Sequence, residues 1–148
     1  MERKRILEIG LQMEKSAQEY YLSAVDKVSD RGTKQMLKEL VEQEAIHVQM
    51  FEDALAGKEV AFGKDLPDLG EDLKLGETMD AAKVRGDSDP GDILVVAIKA
   101  EMRAIQFYSE SAKAFAGSDT EQMLLALVKE EQVHKARLER LYDDEFLR

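Results

Sequence analysis

Thr33–His47 reads TKQMLKELVEQEAIH, and Thr120–His134 reads TEQMLLALVKEEQVH. The second stretch repeats the first at an offset of 87 residues, with Thr, Gln, Met, Leu, Leu, Val, Glu and His kept in step. Glu14, Ala17 and Tyr21 recur at the same offset as Glu101, Ala104 and Tyr108. Generic helical composition repeats Leu and Ala, but it does not place both histidines of a chain at one offset. The chain is therefore read as a duplicated helix pair. Within each copy the core positions alternate steps of three and four, the spacing of one helical face.

Working outward, the chain divides at its breakers. Ser29-Asp30-Arg31-Gly32 and Ala116-Gly117-Ser118-Asp119 are turn-like clusters. Asp89 before Pro90 reads as an N-cap with Pro at the first helical position, and Ser118 with Glu121 as a capping box. The pattern predicts helices over 3–29, 33–56, 90–116 and 119–145, arranged as helix pairs 3–56 and 90–145 around a crossover at 57–89. Residues 57–92 hold both prolines, six of the nine glycines and ten acids against five bases, half of the net charge of −10. A short helix over Glu77–Val84 is the one element expected inside it. The expected fold is an all-α four-helix bundle with one long crossover between helices 2 and 3. The 148 residues are read as one domain, 1–148.

The core stripes contain charge. The first helix gives Leu7, Gly10, Glu14, Ala17, Tyr21, Ala24, Val28, and the third Leu94, Ala97, Glu101, Ala104, Tyr108, Ser111, Phe115. The second gives Leu37, Leu40, Glu44, His47, Phe51, and the fourth Leu124, Leu127, Glu131, His134, Leu138, Leu141. Four carboxylates and two imidazoles thus share the middle of one bundle, and no Lys or Arg occupies these stripes to pair with them. Isolated carboxylates are too costly to keep ionised in a low-dielectric interior, and four together repel one another. Two divalent cations would cancel the four charges, with the imidazoles as further ligands. Glu and His three apart lie on one helical face, so each E-x-x-H presents both to the same ions. Gly10, Ala17, Ala97 and Ala104 are small and are expected to leave room for metals and a small ligand. Tyr21 and Tyr108 are core aromatics by position; their functional reading is hydrogen bonding to ligand carboxylates in support of catalysis. Glu19 lies off the stripe and is expected in solvent, as is the acidic ending Tyr142-Asp143-Asp144-Glu145. The seven methionines are spread as core filler.

Composition excludes several classes. With 31 acids against 21 bases, the surface suits neither nucleic acid nor an anionic membrane. The absence of cysteine excludes Fe–S clusters, thiolate zinc sites, a catalytic thiol and disulfides. The longest apolar run, Ile93–Ile98, is six residues, far short of a membrane span. A cytoplasmic location is the expectation.

The chain resembles the rubrerythrin branch of the ferritin-like di-iron proteins. The resemblance rests on Glu14 with Ala17 and Tyr21, Glu44-Ala45-Ile46-His47, Glu101 with Ala104, Phe107 and Tyr108, and Glu131-Gln132-Val133-His134. It implies a ferritin-like bundle and two Fe ions, with Mn or Zn as substitutes. By resemblance Glu44 and Glu131 bridge the ions or bind beside the bridge, Glu14 and Glu101 are terminal carboxylates, and His47 and His134 supply one imidazole per ion. Two features depart from the family. Its members often append a four-cysteine rubredoxin domain, and this chain has no cysteine. They also carry a further glutamate three residues after the third-helix ligand, where this chain has Ala104. The symmetric four-Glu, two-His set is also similar to the di-iron centre of bacterioferritin.

The implied function is a di-iron oxidoreductase that reduces hydrogen peroxide or dioxygen. It needs an external electron-donor protein such as a rubredoxin, and a homodimer is the expected assembly. The first alternative is iron binding, oxidation and storage or transfer without a separate substrate, marked by a shell of many subunits. Hydroxylation of an organic substrate would need a larger apolar channel beside the metals. A degenerate bundle that serves only in assembly would bind no metal.

Overall fold

Three of the four helices begin where a side-chain oxygen meets their first free amides. The computed structural model describes residues 2–60 and 89–146, which form α1 (Arg3–Val25), α2 (Arg31–Leu55), α3 (Pro90–Lys113) and α4 (Asp119–Phe146). Asp30 caps α2 by accepting from the Thr33 amide at 2.7 Å and from its hydroxyl at 2.8 Å. Asp89 caps α3 through the Asp92 amide at 2.9 Å, with Pro90 in the first turn. Ser118 Oγ accepts from the Glu121 amide at 3.2 Å. The Glu121 carboxylate accepts from the Gly117 amide instead of closing the box on Ser118. Gly57, at φ +74°, ends α2: its amide bonds Ala54 O and that of Lys58 bonds Asp53 O, the paired pattern of a helix stop that favours glycine.

The boundaries differ from the sequence reading in an instructive way. α1 stops at Val25 and α3 at Lys113, each short of the expected 29 and 116. The residues that extended the stripes, Val28 and Phe115, are repeat counterparts. Val28 is buried and Phe115 packs on the core, both from turns that follow their helices. An apolar residue in the right register need not be helical to be in the core. α2 starts at Arg31 rather than 33, because Asp30 is its cap. α4 runs to Phe146, one residue past the expected 145. In its last turns Asp144 is exposed as expected, while Tyr142 and Asp143 are partly buried, Tyr142 against the apolar core. The short helix expected over Glu77–Val84, and the crossover from 61 to 88, lie outside the described residues.

The helices pack as two antiparallel hairpins, α1 with α2 and α3 with α4, joined along α1/α3 and α2/α4. Tyr21 bonds Glu101 while Tyr108 bonds Glu14, so α1 and α3 run antiparallel. His47 meets Glu130 and Glu39 meets Arg137, so α2 and α4 do as well. That arrangement is an all-α four-helix bundle with its long connection between α2 and α3. Two apolar clusters fill its ends. One gathers Leu7, Phe51, Leu124 and Leu127, the other Leu37, Leu40, Leu94, Ile98 and Leu138. The charged positions of the stripes lie between them. Among the described residues no helix is long and apolar enough to cross a membrane.

Gly10 does not leave room for a metal. A Cβ there would stand 2.4 Å from Phe51 Cε1, so the glycine makes space for that ring. Ala97 is sealed in the apolar cluster of the other end.

Candidate metal centre

One side chain from each of α1 and α3, and two from each of α2 and α4, converge midway along the bundle. Glu14, Glu44, His47, Glu101, Glu131 and His134 are all buried, none more than 4% exposed. His47 Nδ1 lies 3.2 Å from Glu131, 3.3 Å from Glu14 and 3.8 Å from Glu44. His134 Nδ1 lies 3.4 Å from Glu131, 3.6 Å from Glu44 and 3.9 Å from Glu101. The two rings stack at 5.7 Å with 19° between their planes. They form the α2/α4 side of the cluster.

The donors fall into two sets, Glu14, Glu44, His47 and Glu131, and Glu44, Glu101, Glu131 and His134, with ligand atoms in each within 4.8 Å of one another. Glu44 and Glu131 belong to both. The 87-residue offset exchanges one set for the other, so the sequence repeat is also a repeat of the site.

The second helix pair is rubrerythrin-like. Residues 92–148 match the rubrerythrin family model, a ferritin-like di-iron family. No curated protein and no solved structure gives a significant match. The rubrerythrin match covers nearly all of α3 and all of α4, with Glu101, Glu131 and His134; α1 and α2 supply the same donor types through the repeat. The family implies metal-ion binding, and the buried carboxylates and imidazoles lie close enough together to share ions.

The tyrosines tie the halves together. Tyr21 on α1 donates to Glu101 Oε1 on α3 at 2.5 Å, and Tyr108 on α3 donates to Glu14 Oε1 on α1 at 3.0 Å. Each helix pair thus holds the other pair's outer carboxylate. Burial, followed by the charge of the acceptor glutamate, pushes both phenols well above their usual range, so the hydroxyls stay protonated and donate.

The carboxylates separate into two kinds. Burial and then the charges of neighbouring glutamates push Glu14 and Glu101 well above the ordinary carboxylate range. Burial opposes ionisation of Glu44 and Glu131 too, but the close approach of the neighbouring acids and both histidines outweighs it and holds them low. Both histidines are raised against the effect of burial, His47 by Glu130 first and then by Glu131, Glu14 and Glu44, and His134 by Glu131 and Glu44, to about 9. Proton sharing of this kind compensates the charges only in part. Among the described residues, the buried side-chain atoms without a hydrogen-bond partner are both oxygens of Glu44, one each of Glu101 and Glu131, and Nδ1 of His47 and His134. Every one of them is an oxygen or a nitrogen of the two sets. Orphaned buried donors that converge from four helices fit the coordination of cations, which would supply the missing partner.

All eight residues singled out from the sequence therefore meet in one cluster, the six donors and the two tyrosines. Glu19 is exposed, as expected. Of the small residues, Ala17 and Ala104 line a groove of about 700 Å³ between α1 and α3 that reaches Glu14 and Tyr21, with Arg5 and Arg103 among its walls. The residue missed by sequence reasoning is Glu130, whose Oε2 lies 2.5 Å from His47 Nε2. Next to a core glutamate it reads as a solvated charge. The available signal was its repeat position, Gln43, another hydrogen-bond acceptor beside an E-x-x-H.

Proposed function

We propose that the chain binds two iron ions between its helix pairs and reduces hydrogen peroxide or dioxygen with electrons from an outside donor protein. The observation that carries this reading is the pair of donor sets sharing Glu44 and Glu131. Two divalent cations balance four carboxylates when both imidazoles are neutral. Glu44 and Glu131, common to both sets, are placed to serve both ions, while Glu14 with His47 and Glu101 with His134 complete one ion each. Carboxylate-rich ligation suits iron or manganese better than structural zinc. When bound, the ion pair supplies two electrons, Lewis acidity and a template for a small oxygen ligand.

The chain's own residues do the rest. Tyr21 and Tyr108 fix the outer carboxylates and keep a hydroxyl proton beside the centre. The apolar clusters above and below exclude water. The groove between α1 and α3 gives a small ligand a route past Ala17 and Ala104. Re-reduction comes from outside the bundle, from a rubredoxin-like donor in the cytoplasm. A homodimer is the assembly that goes with this reading.

Metal analysis of the natively purified protein, then peroxide consumption by its anaerobically reduced form, tests the proposal. About two irons per chain with turnover supports it, as the two shared-edge donor sets require. No metal after anaerobic iron reconstitution overturns it. Iron uptake into a many-subunit shell without turnover replaces the enzyme with a storage protein.

A further inference from the structure

The two imidazoles, equivalent under the repeat, differ on the side that faces away from the cluster. His47 turns Nδ1 to Glu14, Glu44 and Glu131, and Nε2 to Glu130 at 2.5 Å. A ring that offers Nδ1 to a cation carries its proton on Nε2, so His47 donates that proton's hydrogen bond to Glu130. The Glu130 side chain is 24% exposed, while His47 is fully buried. At the repeat position of Glu130 the chain has Gln43, a neutral amide. Among the described residues, the carboxylate contacts of His134 all run through Nδ1. A carboxylate on the outer N–H fixes the ring and raises its strength as a ligand; an uncharged acceptor does so far less.

Resting on the metal reading above, we infer that Glu130 makes the two ion positions unequal. The position completed by Glu14 and His47 binds a divalent cation more tightly than the one completed by Glu101 and His134. Glu130 touches no ion in this scheme. It is a positioning residue that acts through His47, and the near-symmetric donor sets acquire a loading order from one Glu-for-Gln difference.

Co(II) titration of the chelator-stripped full chain, followed by visible absorption in competition with a chelator of known affinity, tests this. The wild type takes up two Co(II) in two steps, the first about 10–100-fold tighter. Glu130→Gln, an isosteric change at a partly exposed side chain, weakens the first step about tenfold or more and merges the two. Gln43→Glu strengthens the second step. The exchange Glu130→Gln/Gln43→Glu separates the steps again and moves the tight position to His134, identified by whether His47→Ala or His134→Ala removes it. In Zn-loaded protein the His47 Nε2–H proton resonates downfield of that of His134 and moves upfield in Glu130→Gln. Two bound ions with the same steps in wild type and Glu130→Gln overturn this inference and leave the metal reading standing. A wild type that binds no cation overturns both.

Discussion

The helix pair α1–α2 and the helix pair α3–α4 carry the same donors at the same spacing but fill their interiors differently. In the first, Gly10 yields to Phe51, whose ring occupies the place of a Cβ. In the second, the repeat counterparts are Ala97 and Leu138, a larger small residue with a smaller large one. Both solutions are fully packed, with Phe51, Ala97 and Leu138 all buried. The difference separates two kinds of constraint. Packing asks only that neighbouring volumes sum correctly, and it tolerates exchange. A cluster of charged donors asks for particular atoms at particular places, and there the halves agree residue for residue.

The strongest way to break this equivalence is to remove a donor. Glu44→Ala or Glu131→Ala takes a ligand from both sets and is expected to abolish binding of both ions. Glu14→Ala, Glu101→Ala or His134→Ala leaves the opposite set whole and should retain about one ion per chain, given the membership of the two sets. Glu19→Ala should retain both. Metal stoichiometry by elemental analysis decides, and equal loss from Glu19→Ala would show that the register is wrong.

Removing the ions while keeping the donors comes next. Loading is expected to stabilise the protein by about 2.7 kcal/mol per site when free metal is 100 times its dissociation constant. In chelator-stripped protein, His134 is raised from its ordinary 6.5 to about 9 by the carboxylates it faces. Its contribution to stability is complete below pH 6.5 and lost as pH rises through about 9. The raised Glu14 and Glu101 act in the same direction, since a proton bound more tightly in the folded state favours folding at lower pH. Thermal melting should therefore fall from pH 6.5 to 9 in stripped protein and hold nearly level in loaded protein. A stripped protein that gains stability over that range would contradict the assignment.

The packing half of the comparison is tested by transplanting one solution into the other. Gly10→Ala should cost about 1–3 kcal/mol by overpacking against Phe51, more than helix propensity returns. Gly10→Ala/Phe51→Leu copies the second pair and should recover most of that loss in denaturant melts. The smallest effect expected is at the caps. Asp30→Ala and Ser118→Ala should each cost about 1 kcal/mol, the first slightly more because Asp30 accepts two bonds from Thr33.

Much of this molecule was legible without coordinates, for reasons visible in particular residues. Four helices, both short turns and the Asp89 and Ser118 caps follow from breaker and capping chemistry that is local to the chain. Glu14, Glu44, His47, Glu101, Glu131 and His134 stood out because charge in a core register has no cheap explanation, and because a duplicated pattern doubles the signal. Helix ends were less legible. Val28 and Phe115 kept the apolar register after the backbone had left the helix, and periodicity reports burial before it reports conformation.

What the sequence determined by itself was which residue types share a face, since helical spacing is a property of one helix. What only tertiary structure decided was which faces meet. Crossed partnership of each tyrosine with the other pair's glutamate, the claim of Phe51 on the space beside Gly10, and the approach of Glu130 to His47 all join residues at least 41 positions apart. No local rule links them. The tyrosine and Glu130 contacts arise because two hairpins pack antiparallel, and the Phe51 contact because the two helices of one hairpin pack together. Both bring together side chains that each helix could only point outward.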